Sequence, residues 1–236
     1  MSMPMSSDPG VENVINVALE VFGRNGYSET RLDTIAHESG MSKRMIHYHF
    51  GDKKGLYTRA LQLAIEQLRP TPDKMITDSV VPAEGIRAVV SAIYDQMAAH
   101  PKALRLLTLE NIFGDVSMLY APPLADQSNI LLQTDRILMV GQDAGAFRPG
   151  ISALDVYALI NSLCLLRLGG RATFKNLYGT DLHSKQNLAG LKQLVIDAVL
   201  AFLTANIESN GQMSYLQGEF KNDSMPALYE QDNIYD

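Results

Sequence analysis

Apolar residues in the first part of the chain fall at Val11, Val14, Ile15, Ala18, Leu19 and Phe22. This spacing of i, i+3, i+4, i+7, i+8 and i+11 traces one face of a helix. It predicts a helix over Val11–Arg24, ended by Asn25-Gly26, a dipeptide that supplies a left-handed residue. A second, short helix is predicted over Arg31–Ser39, with Leu32, Ile35 and Ala36 inward, Thr30 as its cap and Gly40 as its stop. Ser42 then caps a third, Lys43–His49, and Asp52 caps a fourth, Lys53–Arg69, whose stripe is Leu56, Tyr57, Ala60, Leu61, Ala64 and Leu68. Pro70, Pro72 and Pro82 mark a linker. Beyond it the pattern is helical over Ala83–Ala99, Pro101–Phe113, Pro123–Ala144, Ser152–Leu168 and Leu188–Ile207. Strict period-two alternation is absent, so the expected fold class is all-α.

Two short helices joined by Ser39-Gly40-Met41-Ser42, with a longer helix on either side, form the layout of a helix-turn-helix. Gly40 permits the sharp turn, Met41 plugs the gap and Ser42 caps the second short helix. In that helix Ile46 and Phe50 are expected inward, which leaves Lys43, Arg44, His47 and Tyr48 outside, side chains suited to phosphates and base edges. Lys53 begins the next helix, where a cation opposes the helix dipole, so its presence points to a phosphate partner.

Charge changes this picture only locally. The formal net charge is −6, which argues against a nucleic-acid binder when taken alone. Residues 1–69, however, hold eight Lys/Arg against eight Asp/Glu. Between Lys43 and Arg59 there are five basic residues against Asp52 alone. A basic face of this kind also fits a helical adaptor that meets an acidic protein partner, the alternative reading. No metal-ligand spacing, phosphate-cradling glycine loop or Gly-x-Ser-x-Gly elbow occurs, so neither an enzyme nor a cofactor or metal is expected. The single cysteine, Cys164, excludes an intrachain disulfide, and neither a signal-peptide core nor a membrane-length apolar run is apparent. A cytoplasmic protein is expected.

The stretch Phe22-Gly23-Arg24-Asn25-Gly26-Tyr27 to Thr30, with Ile35-Ala36, Gly40-Met41-Ser42-Lys43, His47-Tyr48-His49-Phe50, Lys53 and Leu56-Tyr57, resembles the TetR family of bacterial regulators. The resemblance implies a ligand-responsive repressor that binds palindromic operator DNA as an Ω-shaped homodimer of nine or more helices and is released by a small-molecule effector. It divides the chain into a flexible N-terminus (1–10), a DNA-binding domain (11–52), an effector-binding and dimerisation domain (53–208, with 53–69 as linking helix) and a polar acidic tail (209–236). Carried over by position, Thr30 or Arg31 would contact phosphate. Ser42, Lys43, Arg44, His47, Tyr48 and His49 would face DNA, and Lys53 would take a phosphate. His47 departs from the family, which very often has Tyr there.

The resemblance also places an effector pocket between the linking helix and the central helices. Tyr94, Met97, Arg105, Asn111, Tyr157, Asn161, Cys164 and Arg167 sit on helices expected to line it. Each is equally a residue that a helical core would use: Arg105 has Glu110 and Asp115 as nearby ion-pair partners, and Cys164 suits a small buried position. Residues 154–168 and 188–203 are apolar on more than one face, which calls for a partner on each face. A homodimer packed through helices about 152–168 and 188–207 supplies it.

Overall fold

The computed structural model describes residues 8–77, 79–114, 128–207, 211 and 214–216. Among them there is no strand, in line with the all-α expectation. Helix α1 spans Pro9–Glu29, capped by Asp8, whose side chain accepts from the Gly10 N–H at 2.9 Å. The positive φ predicted at Asn25-Gly26 is present (Gly26, φ 79°), but it kinks the helix instead of ending it, and one further turn runs to Glu29. Helix α2 (Leu32–Ser39) ends on Gly40 in the left-handed region at φ 73°. Helix α3 (Lys43–Phe50) is capped by Ser42, whose hydroxyl accepts from the Met45 N–H, and α4 (Lys53–Leu68) by Asp52, whose carboxylate accepts from the Gly55 N–H at 2.7 Å.

The three prolines act as helix boundaries. Pro70 follows the end of α4, Pro72 opens a 3-10 turn over Pro72–Met75, and Pro82 is the first residue of α5 (Pro82–Ala99). A first-position proline loses no hydrogen bond, because that N–H has no partner in any helix. The same device starts α6 (Pro101–Phe113) directly after His100. Then come α7 (Ser128–Asp143), α8 (Ala153–Gly169), α9 (Arg171–Tyr178) and α10 (Lys185–Thr204). The predicted start of α7 at Pro123 and the N-terminal lead of residues 1–7 lie outside the described residues.

Helix α9 is absent from the sequence expectation for a physical reason. None of its residues is buried, so no apolar stripe marks it. It is held through Asp181, which pairs with Arg171 and Lys175 and lies below the usual carboxylate range because of the Arg171 hydrogen bond and the His183 N–H.

Two apolar cores organise the chain. The first joins α1, α2, α3 and α4 through Val14, Phe22, Ile35, Ile46, Leu56 and Leu61, and it also takes Ala103 and Leu106 from α6. The second joins α5, α7, α8 and α10 around Ile86, Ile93, Val156, Ile160 and Val199. Leu68, at the end of α4, packs against both. Hydrophobic packing therefore does not break at residue 52. The linking helix belongs to the first core, because Leu56, Tyr57, Ala60, Leu61 and Ala64 are all buried there.

Helix α10 corrects the expectation that no apolar run reaches membrane length. It has 20 residues and a mean hydropathy of 1.4 over its most apolar window, long and apolar enough to cross a bilayer by length and composition. Its tertiary setting gives another reason for that composition. Val195, Ile196, Val199 and Leu203 face the second core, and Leu194 on another side is exposed.

The segment 214–216 is fastened to the body. The Asp155 carboxylate accepts from the Ser152 N–H and hydroxyl at the start of α8, the Ser214 hydroxyl (2.9 Å), and the Tyr215 and Leu216 N–H groups (3.1 and 2.8 Å). Arg148 adds a clamp: its guanidinium lies over Phe202 and donates to the Tyr215 hydroxyl. The expected separate tail is thus part of the body at these residues. Residues 217–236 lie outside the described ones.

Burial raises the Asp155 pKa, but the N–H groups of Ser152, Tyr215 and Leu216 and the Ser214 hydroxyl outweigh it and hold the carboxyl below its usual value. A depressed folded-state pKa stabilises at pH above the unfolded value of about 3.9, and the contribution is lost as pH falls through the folded value. Asp155→Asn is expected to cost on the order of 1–3 kcal/mol at neutral pH and to speed chymotryptic cleavage at Tyr215. Urea unfolding checks the first and timed proteolysis the second. An unchanged cleavage rate would mean that the carboxylate does not hold the segment.

Candidate nucleic-acid interface and effector cavity

The recognition surface is built on α3. Ile46 is its one buried residue and anchors the helix in the first core. One anchor on an eight-residue helix leaves most of the surface free, and Lys43, Arg44, His47, Tyr48 and His49 are all exposed, Tyr48 at 79%. Ser42 is exposed at the cap and Arg31 at the start of α2. The start of α3 and the start of α2 are adjacent, since Lys43 reaches Asp33.

Two of the cations are already engaged. Lys43 pairs with Asp33 at 3.0 Å, and its hydrogen bond to Asp33 holds that carboxyl below the usual range. Lys53 donates to the Ser28 carbonyl at 3.2 Å and lies 4.5 Å from the centroid of the Tyr27 ring, which fastens the start of α4 to the end of α1. Exposed pairs of this kind contribute about 0–1 kcal/mol, so a phosphate can displace Asp33 at little cost. Arg44 has no hydrogen bond or ion pair among the described residues. His47 Nδ1 lies 2.8 Å from the Gly51 carbonyl. A carbonyl only accepts, so Nδ1 carries the proton and Nε2 of the neutral ring is left as an acceptor.

Thr30 is a correction. It is buried at 2% exposure and donates to the Gly26 carbonyl at 2.7 Å. Its hydroxyl closes the last turn of α1, so it neither caps α2 nor remains free for phosphate. Arg31 holds the cap position of α2, without a side-chain cap hydrogen bond.

A cavity of about 390 Å³ opens between α4, α5, α6 and α8. Ile65 and Leu68 come from α4, Met97 from α5, Leu104, Leu107, Thr108, Asn111 and Ile112 from α6, and Tyr157, Asn161 and Leu165 from α8. Of the eight predicted residues, Met97, Asn111, Tyr157 and Asn161 line it. The other four do not. Tyr94 is buried and donates to the Leu188 carbonyl at 2.9 Å, tying α5 to α10. Arg167 is buried and donates to the Met97 carbonyl at 3.0 Å, a cation at the C-terminal turn of α5, where the helix dipole favours one. Cys164 is buried in the second core, and burial pushes its thiol up to about 12, so it is a small hydrophobe there. Arg105 is exposed. It does not pair with Glu110, which is buried and accepts from the Tyr57 hydroxyl at 3.1 Å; Asp115 lies outside the described residues.

The sequence reading missed the double role of α6. Ala103, Leu106 and Glu110, at i, i+3 and i+7, face the DNA-binding core and α4. Leu104, Leu107 and Asn111, at the same spacing one residue on, line the cavity. Two interleaved stripes on one helix were the available signal.

Residues 14–60 match the family described as bacterial regulatory proteins, tetR family, and residues 82–199 match its tetracyclin repressor-like C-terminal domain. The chain belongs to the TetR family. Like other TetR-family members it is a DNA-binding transcription regulator with a helix-turn-helix, and not an enzyme. The HTH-type transcriptional repressor NicS of Pseudomonas putida is 27% identical over 190 residues, 80% of this chain and 90% of that protein. A tetR-family regulatory protein from Rhodococcus RHA1 superposes with a TM-score of 0.61 at 18% identity, covering 84% of this chain and 98% of that one. FadR from Bacillus subtilis, solved in complex with stearoyl-CoA, superposes with a TM-score of 0.55 at 16% identity over 82% and 99% of the two chains. At these identities the structures establish the TetR fold alone.

Proposed function

We propose that this TetR-family chain is a ligand-responsive repressor that binds palindromic operator DNA as a homodimer and is released by a small molecule in the cavity between α4, α5, α6 and α8. The observation that carries the reading is the division of α6 between that cavity and the DNA-binding core. A ligand pressing on Leu104, Leu107 or Asn111 acts on the helix whose other stripe holds Ala103, Leu106 and Glu110 against α1 and α4. Packed interfaces move as units, so α4 and the recognition helix are carried along.

Arg31, Ser42, Lys43, Arg44, His47, Tyr48, His49 and Lys53 form the proposed DNA contacts. The homodimer rests on α8 and α10, whose outward residues include Leu166 and Leu194, both exposed in the single chain. Exposed leucines on two adjacent helices fit an isologous four-helix contact. Dimerisation would set two copies of α3 about 34–36 Å apart, one turn of B-DNA. Release requires that the effector bind the displaced arrangement more tightly than the DNA-bound one. Stearoyl-CoA in FadR shows that one protein of this fold holds a small molecule. A role of this kind places the protein in the bacterial cytoplasm, beside its operator.

Selection of bound sequences from random duplex DNA is expected to enrich a palindrome with half-sites one or more helical turns apart. Titration of that duplex at several salt concentrations then tests the contacts. Lys43→Ala with Lys53→Ala should weaken binding and lower the slope of log K against log salt by about 1 for each phosphate no longer neutralised, with the oligomeric state unchanged. An unchanged slope would remove these lysines from the interface. Absence of any enriched duplex would favour the adaptor reading.

A further inference from the structure

Seven of the eleven side chains lining the cavity are apolar, and the other four, Thr108, Asn111, Tyr157 and Asn161, are neutral at pH 7. Burial raises the Tyr157 pKa further above neutrality. Among the described residues, neither an acid nor a base lines the space. Glu66, Arg105, Glu110 and Arg167 stand on the same helices but are not part of the lining. Arg167 has its guanidinium on the Met97 carbonyl, Glu110 takes the Tyr57 hydroxyl, and Arg105 is exposed. A carboxylate or phosphate seated against the buried side of the cavity, at Met97 and Leu104, would leave water without meeting a countercharge among the described residues, which costs more than placing a neutral group there.

The polar groups that remain have a definite character. Asn161 gives one amide hydrogen to the Tyr157 carbonyl at 2.7 Å, its side chain also meets the Tyr157 phenol, and its oxygen remains to accept. Asn111 has no hydrogen-bond partner among the described residues, so its whole carboxamide edge is free. Thr108 donates to the Leu104 carbonyl at 2.8 Å and can only accept from a ligand. The Asn111 carboxamide offers donor and acceptor side by side, with the Asn161 oxygen as a further acceptor, and matches a ligand group that does the same.

We infer that the effector is an uncharged, mostly apolar small molecule carrying one amide-like donor–acceptor group. The inference rests on the effector reading of this cavity. Its size of about 390 Å³ lies in the usual range for small-molecule sites, about 300–1,000 Å³, and suits a two-ring compound.

The test uses two probes of one shape, 2-naphthamide and 2-naphthoate, titrated calorimetrically into the full chain. At pH 7.5 the amide is expected to bind at least about tenfold more tightly than the carboxylate. Naphthoate affinity should rise roughly tenfold per unit as pH is lowered from 7 to 6, because the bound form is the neutral acid and a carboxyl titrates near pH 4. Asn111→Arg places a cation at the cavity in an exposed position and should reverse the preference. Leu107→Trp fills the space and should abolish amide binding in protein whose helix content, read by circular dichroism, is unchanged.

Equal or tighter binding of naphthoate at pH 7.5, abolished in Leu107→Trp, would overturn the neutral class while the effector cavity stands. Amide binding unchanged by both Leu107→Trp and Asn111→Arg would instead overturn the effector reading of the cavity. Failure of the amide to bind up to its solubility limit, in protein that still binds operator, would overturn the class as well.

Discussion

Replacing Gly55 by alanine is expected to abolish tight operator binding with little loss of helix content. A Cβ at Gly55 would lie 2.0 Å from the Phe50 carbonyl oxygen and 3.2 Å from its carbon. Those are backbone atoms at the C-terminal end of α3, so no side chain can rotate away to make room. Glycine at this position lets the end of the recognition helix tuck against the first turn of α4, where Asp52 caps the Gly55 N–H. The added methyl must push α3 from α4 or open the cap. Overpacking of this kind costs on the order of 1–3 kcal/mol, occasionally more. A displacement of α3 also moves Lys43, Arg44 and Tyr48 together, so affinity should fall by more than the roughly tenfold that 1.4 kcal/mol represents. Circular dichroism and a binding titration of the same preparation separate unfolding from displacement. Operator affinity within a factor of about two of the parent would show that the α3–α4 turn does not set the recognition helix.

Leu106→Ala should be the most destabilising single truncation at the junction of the two cores. Leu106 is completely buried and reaches from α6 into the core formed by α1–α4. Its neighbours approach closely: a Cβ on Gly23 of α1 would lie 3.4 Å from the Lys102 carbonyl and 3.8 Å from Leu106 Cβ. Backbones packed this tightly cannot collapse into the space that the removed isopropyl group leaves. A cost of about 2–5 kcal/mol is expected in urea unfolding, with an unchanged m-value. The same variant tests coupling. A looser contact between α6 and the DNA-binding core should weaken ligand-induced release more than it weakens operator binding itself. A loss below about 1 kcal/mol would indicate that α6 repacks freely, and the shared-helix mechanism would fall with it.

Much of the α3 surface was legible in the chain because its determinants are local. A turn glycine, a serine cap and one apolar anchor at Ile46 define a short helix, and the exposed set Lys43, Arg44, His47, Tyr48 and His49 follows from helical geometry. Thr30 was misread because two neighbouring helix ends compete for one side chain. The kink at Gly26 carries α1 on to Glu29, which turns the Thr30 hydroxyl back toward the Gly26 carbonyl. That competition is settled by backbone geometry that no residue pattern displays.

The cavity was half legible for a related reason. Tyr157 and Asn161 share a face of α8, and helical spacing gave that face correctly. Arg167 and Cys164 continue along the same helix but turn into the core, one to cap α5 and the other to fill space. Which part of an all-round apolar helix meets a neighbour and which meets a void depends on where α4, α5 and α6 cross it. Helix α9 escaped notice because it buries nothing and is held by ion pairs to Asp181. By itself the sequence determined the all-α class, the caps and breaks of most helices and the exposed polar residues of α3, since each is set by residues within a few positions of one another. Only the tertiary structure decided that α6 belongs to two cores, that Glu110 serves Tyr57, and that residues 214–216 close on Asp155. Those contacts join residues about 50 to 60 positions apart, and burial makes them favourable only when the helices between have packed.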